Sequence, residues 1–160
     1  MDIIKKSEEF AKEEYKKNDS EHGWNHIAAV RKRALELARN FRGVDIEILE
    51  LAVIFHDIGY HQGRTAEERY TQHAENSVKT AERFLVKNRY PQDRIEKIKQ
   101  AILDHSTPHR KRFGDAKSIE GKLIYDADKT IFITTKETYA KYFPLLYLSE
   151  SRNLVKKFGK

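Results

Sequence analysis

Seven histidines and no cysteine define the chemistry open to this chain of 160 residues. His22 and His26 stand four apart in EHGWNH, and His56 and Asp57 are adjacent in FHDIGYHQG. His73 lies in TQHAENS, His105 in AILDHS, and Asp126 and Asp128 in YDADK. Without thiolates, any metal must rest on imidazole and carboxylate. Two imidazoles and two carboxylates neutralise a divalent ion and leave positions open to water or substrate oxygens, which suits hydrolysis better than a closed structural clamp. A single His-Asp pair would be read more simply, as a helix cap and a ring bonded to a backbone carbonyl. The other candidates shift that balance: His26, His73 and His105 lie at or near the end of a predicted element, where separate helices can converge, and Asp126 and Asp128 lie on another apolar-flanked segment. On residue types alone, the choice between His22 and His26, and between Asp126 and Asp128, stays open.

These side chains need helices to hold them, and the chain reads as helical almost throughout. Apolar periodicity predicts helices over about 2–17, 25–41, 45–58, 72–88, 92–105, 118–135 and 136–158. Within 25–41 the residues Ile27, Val30, Ala34, Leu37, Ala38 and Phe41 recur at spacings of three and four. The stretch LAVIF at 51–55 is apolar nearly all round, as expected of a central buried helix. Adjacent residues point about 100° apart around a helix, so His56 and Asp57 reach one ion only near a helix end, and Gly59 supplies that end. Residues 60–70 read as a polar loop. Residues 106–114 read as a second one, a mobile segment between Pro108 and Gly114 that carries the basic run HRKR. IFI and ITT at 131–135 have strand propensity but no evident partner strand. The expectation is an all-α, compact single-domain bundle of about six or seven helices over 1–160, with a motif-bearing core at about 20–133 and a C-terminal helical segment at about 136–158.

Composition narrows the function classes. Hydrophobic residues make up 39% and charged residues 35%, with a net charge of +6. That suits a soluble protein with a lysine-rich surface, or attraction to an anionic partner. No apolar run is long enough to cross a bilayer, and MDIIKKSEEF lacks the order of a secretory leader, so a cytoplasmic protein without membrane association is expected. No nucleic-acid module stands out, which ranks a basic nucleic-acid-binding protein without catalysis last. EHGWNH differs from the zinc-protease HExxH pattern, because Gly23 stands where the general-base glutamate belongs.

The motifs together resemble a known family. His26 opening HIAAV, then His56-Asp57-Ile58-Gly59 after an apolar helix, then DADK are similar to the H…HD…D signature of the HD-domain superfamily of metal-dependent phosphohydrolases, over residues 20–133. The resemblance implies an all-α fold and metal ligation by His26, His56, Asp57 and one downstream aspartate. Motif register selects Asp128, immediately before Lys129. It leaves His22 as a rim residue that binds substrate. His73 and His105 resemble further histidines of such proteins, which hold a second metal or bind the substrate phosphate. The acidic pair that follows the motif in guanosine tetraphosphate hydrolases is absent, as is the GYP sequence of the cyclic-dinucleotide branch. The glutamate common in the nucleoside monophosphatase branch is replaced by neutral Gly59 or Tyr60. What remains resembles the small HD hydrolases, whose assigned substrates are nucleotides.

The reading is therefore a metal-dependent phosphohydrolase acting on a small phosphorylated substrate, a nucleotide before others. One divalent ion is expected, manganese ahead of Fe, Ni, Co, Mg or Zn, with a second ion as the alternative. Asp57, His73 and His105 are the candidates to handle the water's proton. Lys129, Arg110, Lys111 and Arg112 are the candidates to neutralise phosphate charge. The rival is a di-iron oxygenase of the same fold, for which His26, His56, Asp57, His73, His105 and Asp128 supply the full ligand count.

Overall fold

The chain folds around its most apolar helix. A computed structural model describes residues 2–160 and contains nine α-helices and no strand among them. The first, α1 (Ile3–Tyr15), is capped by Asp2, whose side chain accepts from the Lys5 N–H. α2 (Trp24–Ala38) follows a short 3₁₀ turn at Ser20–His22, and α3 (Ile46–Phe55) starts where Asp45 accepts from the Ile48 N–H. Every residue from Leu51 to Gly59 is buried, so α3 and the turns after it run through the centre of the molecule. α1, α2, α5 (Gln92–Asp104) and α7 (Ile119–Phe132) pack around it. Each Leu, Ile or Phe buried there contributes about 1.5–3 kcal/mol, which fixes the direction in which α3 delivers His56 and Asp57.

The outer elements depart from the sequence reading in informative ways. α4 (Ala66–Lys87) begins six residues before the expected start, because Thr65 accepts from the Glu68 N–H and Glu67 and Glu68 fill the first turn. His73 thus sits in the third turn of α4 rather than opening it. Residues 106–114 are no loop: Ser106 caps α6 (Thr107–Phe113), with Pro108 in its first turn. Gly114 ends it at φ +94°, a conformation that favours glycine. The expected C-terminal helix breaks at Pro144 into α8 (Lys136–Tyr142), a 3₁₀ turn at Phe143–Leu145 and α9 (Ser149–Val155). α7 stops at Phe132, short of the expected 135, with Ile133 as its C-cap. A small second apolar cluster of Ile133, Leu146 and Val155 holds this C-terminal part together.

Candidate metal centre

Five elements bring the centre together. His26 stands in the first turn of α2, which packs along α7 and so faces Asp128. His56 caps α3 and Asp57 lies in the turn just beyond it, at the helix end as expected, although the helix stops at Phe55 rather than about 58. The buried Tyr15 hydroxyl donates to the Ile54 carbonyl (2.7 Å) and accepts from the Asp57 N–H (3.3 Å), holding that turn from beneath. Gly59 holds it from the side. Its N–H donates to Ser77 Oγ (2.9 Å), and a Cβ there would lie 2.5 Å from the α4 backbone at Asn76 and Ser77. His73 comes from α4, and His105 caps the end of α5.

The result is two ligand clusters that share one carboxylate. Ligand atoms of His26, His56, Asp57 and Asp128 all lie within 4.8 Å of one another, as do those of Asp57, His73 and His105. Asp57 Oδ2 is 3.5 Å from His56 Nε2 and 3.9 Å from His26 Nε2. Its Oδ1 is 3.2 Å from His105 Nε2 and 3.7 Å from His73 Nε2. His26 Nε2 lies 2.9 Å from Asp128 Oδ1.

Three of the rings are set in the tautomer a metal requires. His56 Nδ1 donates to the Val53 carbonyl (2.6 Å), His73 Nδ1 to that of Tyr70 (2.8 Å), and His105 Nδ1 to that of Ile102. A carbonyl oxygen only accepts, so each neutral ring keeps its proton on Nδ1 and turns an Nε2 lone pair inward. His56 Nε2 is buried with no hydrogen-bond partner. An orphaned acceptor of that kind is costly in a core, and a cation would satisfy it. The residues fit a divalent ion.

The titrations point the same way. Burial holds the His56 imidazole down to about 4, and burial also lowers His73. Burial would raise the Asp57 carboxyl, but the neighbouring His56 and His105 hold it well below the ordinary carboxylate range. Asp128 is likewise held low against its burial, chiefly by Lys129 and His26. His26 is raised despite its burial, through the Asp128 contact. His56 and His73 are thus held as neutral rings beside the ionised carboxylates of Asp57 and Asp128, the protonation states that bind metals.

A cavity of about 430 Å³ opens onto this floor. Glu21, His22 and Lys129 supply its polar wall, and Tyr60, Tyr70, Phe132 and Tyr142 its aromatic one. Two larger hollows, of about 630 and 700 Å³, lie along α4 away from the cluster. No ligand cluster converges on either, so the smaller cavity is the one that matters. His22 stacks on Tyr60 at its edge, with ring centroids 3.6 Å apart. Lys129 Nζ lies 3.1 Å from Asp128 Oδ2.

The basic run does not reach this cavity. Arg110 turns away, bonding Asp115 (2.9 Å) and the Leu145 carbonyl (2.7 Å) and lying over the Tyr147 ring at 4.0 Å. Lys111 and Arg112 are exposed on α6. Of the three expected phosphate ligands on HRKR, none lines the cavity, and Arg110 ties α6 to the C-terminal segment. Asp126 also has a different task, accepting from the Tyr147 and Leu148 N–H groups at 2.8 Å each. Sequence reasoning missed the aromatic wall and missed Asn18. Asn18 Nδ2 donates to the carbonyls of His22 (3.0 Å) and Asp57 (2.9 Å). Its place in the polar break NDSEHG gave no signal beyond turn propensity, whereas Tyr60 directly follows HDIG and was visible.

Comparison with known proteins agrees with this geometry. A family model described as HD domain matches residues 23–132. The crystal structure of a predicted HD superfamily hydrolase from an uncultured Thermotogales bacterium superposes with a TM-score of 0.72 at 22% identity, covering 96% of this chain and 83% of that one. No curated protein matches the chain in sequence.

Proposed function

The chain belongs to the HD domain family, and from that premise we propose that it is a metal-dependent phosphohydrolase of small phosphorylated compounds, nucleotides foremost. The observation that carries this reading is the set of bare Nε2 lone pairs and ionised carboxylates on the floor of an open cavity. The name given to the structural relative, a predicted HD superfamily hydrolase, is in keeping with it. His26, His56, Asp57 and Asp128 would hold one divalent ion, and Asp57, His73 and His105 would hold a second. Ions bound there would neutralise phosphoryl oxygens and lower the pKa of a water.

The protein's own side chains supply the rest. Asp57 presents one oxygen to each cluster, so it would set the spacing of the two sites. Lys129, kept cationic against its burial by Asp128, would meet a phosphate oxygen from the cavity wall. Tyr60, Tyr70, Phe132 and Tyr142 would take the ring of a nucleotide, because aromatic faces bind planar groups without reading their edges. A cavity of about 430 Å³ is in the size range of small-ligand pockets.

The sharing of Asp57 between two clusters also favours a second reading, a di-iron oxygenase. One experiment separates them. The protein is loaded with Mn, Mg, Co, Ni, Zn or Fe and assayed against nucleotides and simple phosphate esters for phosphate release, with oxygen uptake followed in parallel. Phosphate release with a redox-inert ion supports hydrolysis. Oxygen uptake confined to the iron form, without phosphate release, overturns it.

A further inference from the structure

Beside the metal cluster lies a second imidazole–carboxylate arrangement that ligation does not use. His22 Nδ1 is 2.8 Å from Asp19 Oδ1, and the same oxygen accepts from the His22 backbone N–H at 3.0 Å. The ring lies nearly flat on Tyr60, 10° from parallel. Its Nδ1 is engaged by Asp19, which leaves Nε2 as the free ring nitrogen of a residue lining the cavity over the centre. Asn18 then fixes the distance between the two sites, since one amide group holds the carbonyls of both His22 and Asp57. The Asn18 Oδ1 also accepts from the His61 N–H (2.9 Å), so the turn carrying Tyr60 is tied to the same hub. A merely solvated rim histidine would need none of these three restraints.

We propose that His22 is the proton donor to the leaving group, with Asp19 and Asn18 as its positioning residues. This rests on the phosphohydrolase reading and assigns a step that reading leaves open. Hydrolysis of a phosphate monoester forms a bond from the water oxygen to phosphorus and breaks the bond from phosphorus to the ester oxygen. That ester oxygen departs carrying negative charge unless a proton reaches it. His22, protonated on Nε2 and bonded through Nδ1–H to Asp19, gives up the Nε2 proton as the bond breaks. The products are the neutral alcohol and phosphate, and the proton released by the water returns the imidazole to its starting state through solvent. Asp19 is suited to hold an imidazolium. Its carboxyl stays below the ordinary value although burial opposes this, because the His22 hydrogen bond and charge outweigh it. Glu21 and Lys129 are the other charged groups lining the cavity with His22 outside the ligand set.

General acid assistance matters in proportion to how poor the leaving group is, which gives a test that binding or folding defects do not imitate. The metal-loaded parent, His22→Gln and Asp19→Asn are compared on p-nitrophenyl phosphate, phenyl phosphate and adenosine monophosphate, with metal content measured on the same samples. The expected result is a loss of about a hundredfold or more in kcat/KM on the two poor leaving groups for His22→Gln, and less than tenfold on p-nitrophenyl phosphate. Asp19→Asn should show the same pattern with smaller losses, and bound metal should be unchanged in both. Equal losses on all three esters would overturn the proposal while leaving the phosphohydrolase reading standing. Loss of metal from His22→Gln would overturn it too, by making His22 a ligand. A parent inactive on all three esters with every metal would overturn both readings.

Discussion

The Nε2 atoms of His73 and His105 lie 3.2 Å apart, and each ring has already committed its Nδ1–H to a backbone carbonyl three residues earlier. In the neutral rings these are two lone pairs facing each other, with the Asp57 carboxylate alongside. A cation or a shared proton relieves that arrangement.

The first prediction follows from this pair. After loading with excess manganese and desalting, the protein should retain two ions per chain by elemental analysis, and His105→Ala should retain one. Two ions retained by His105→Ala would remove the second cluster from the metal site.

Asp126 and Asp128 should separate cleanly. Asp128→Asn should lose metal with a modest change in unfolding temperature. Asp126→Asn should keep its metal but lose about 1–3 kcal/mol of stability, because the Tyr147 and Leu148 N–H groups lose a charged acceptor. Denaturant unfolding alongside metal analysis reads both. The reverse pattern would put the wrong aspartate in the site.

The metal-free protein should be acid-labile in a defined window. His56 is held down to about 4 in the fold, against an ordinary value of 6.5. As pH falls through that interval the unfolded chain takes the proton and the folded chain does not, so the equilibrium moves toward unfolding. The contribution is fully present above 6.5 and gone near 4, with a size on the order of 3 kcal/mol. His73 acts in the same sense, His26 in the opposite one. Below the ordinary carboxylate range, Asp57 and Asp128 add to the loss. Thermal unfolding at pH 7, 5.5 and 4.5 should show a steady fall in Tm, and a flat profile would mean that His56 is not the buried neutral ring described.

The basic run should prove structural. Arg110→Ala should cost about 1–3 kcal/mol, since the Leu145 carbonyl and the Tyr147 face lose their partner. Lys111→Ala and Arg112→Ala should change stability by less than about 0.5 kcal/mol. None of the three should alter KM for a phosphorylated substrate, and a several-fold rise in KM for Lys111→Ala would return α6 to the binding surface.

Gly59→Ala should damage the centre without touching a ligand. The new Cβ would meet the α4 backbone at 2.5 Å, so the turn holding His56 and Asp57 must move, at about 1–3 kcal/mol or more. Reduced metal occupancy together with a lower Tm is the expected result. An unchanged protein would show that the turn and α4 can separate freely.

The sequence by itself determined the ligand types, the helical class and the end of the apolar helix on which the site depends. HDIG after LAVIF is a local pattern, and burial cost makes it readable without a partner. What tertiary structure decided is the physical ground for each choice between near neighbours, which motif register had made only by resemblance. Asp126 and Asp128 are two residues apart on α7 and so point to different sides of it. The packing of α2 and of the C-terminal segment brings Asp128 to His26 and Asp126 to the backbone of Tyr147 and Leu148. Arg110 looked available to phosphate until Tyr147 and Leu145, more than thirty residues later, took its charge. His22 read as a rim residue because its partners are visible only in space: Asp19 across a tight turn, Tyr60 across the cavity edge, and Asn18 bound at once to it and to Asp57. Periodicity and motif spacing are properties of one segment. A ligand set is a property of where several segments meet, and that meeting is governed by the non-directional burial of apolar faces whose partners the spacing does not name.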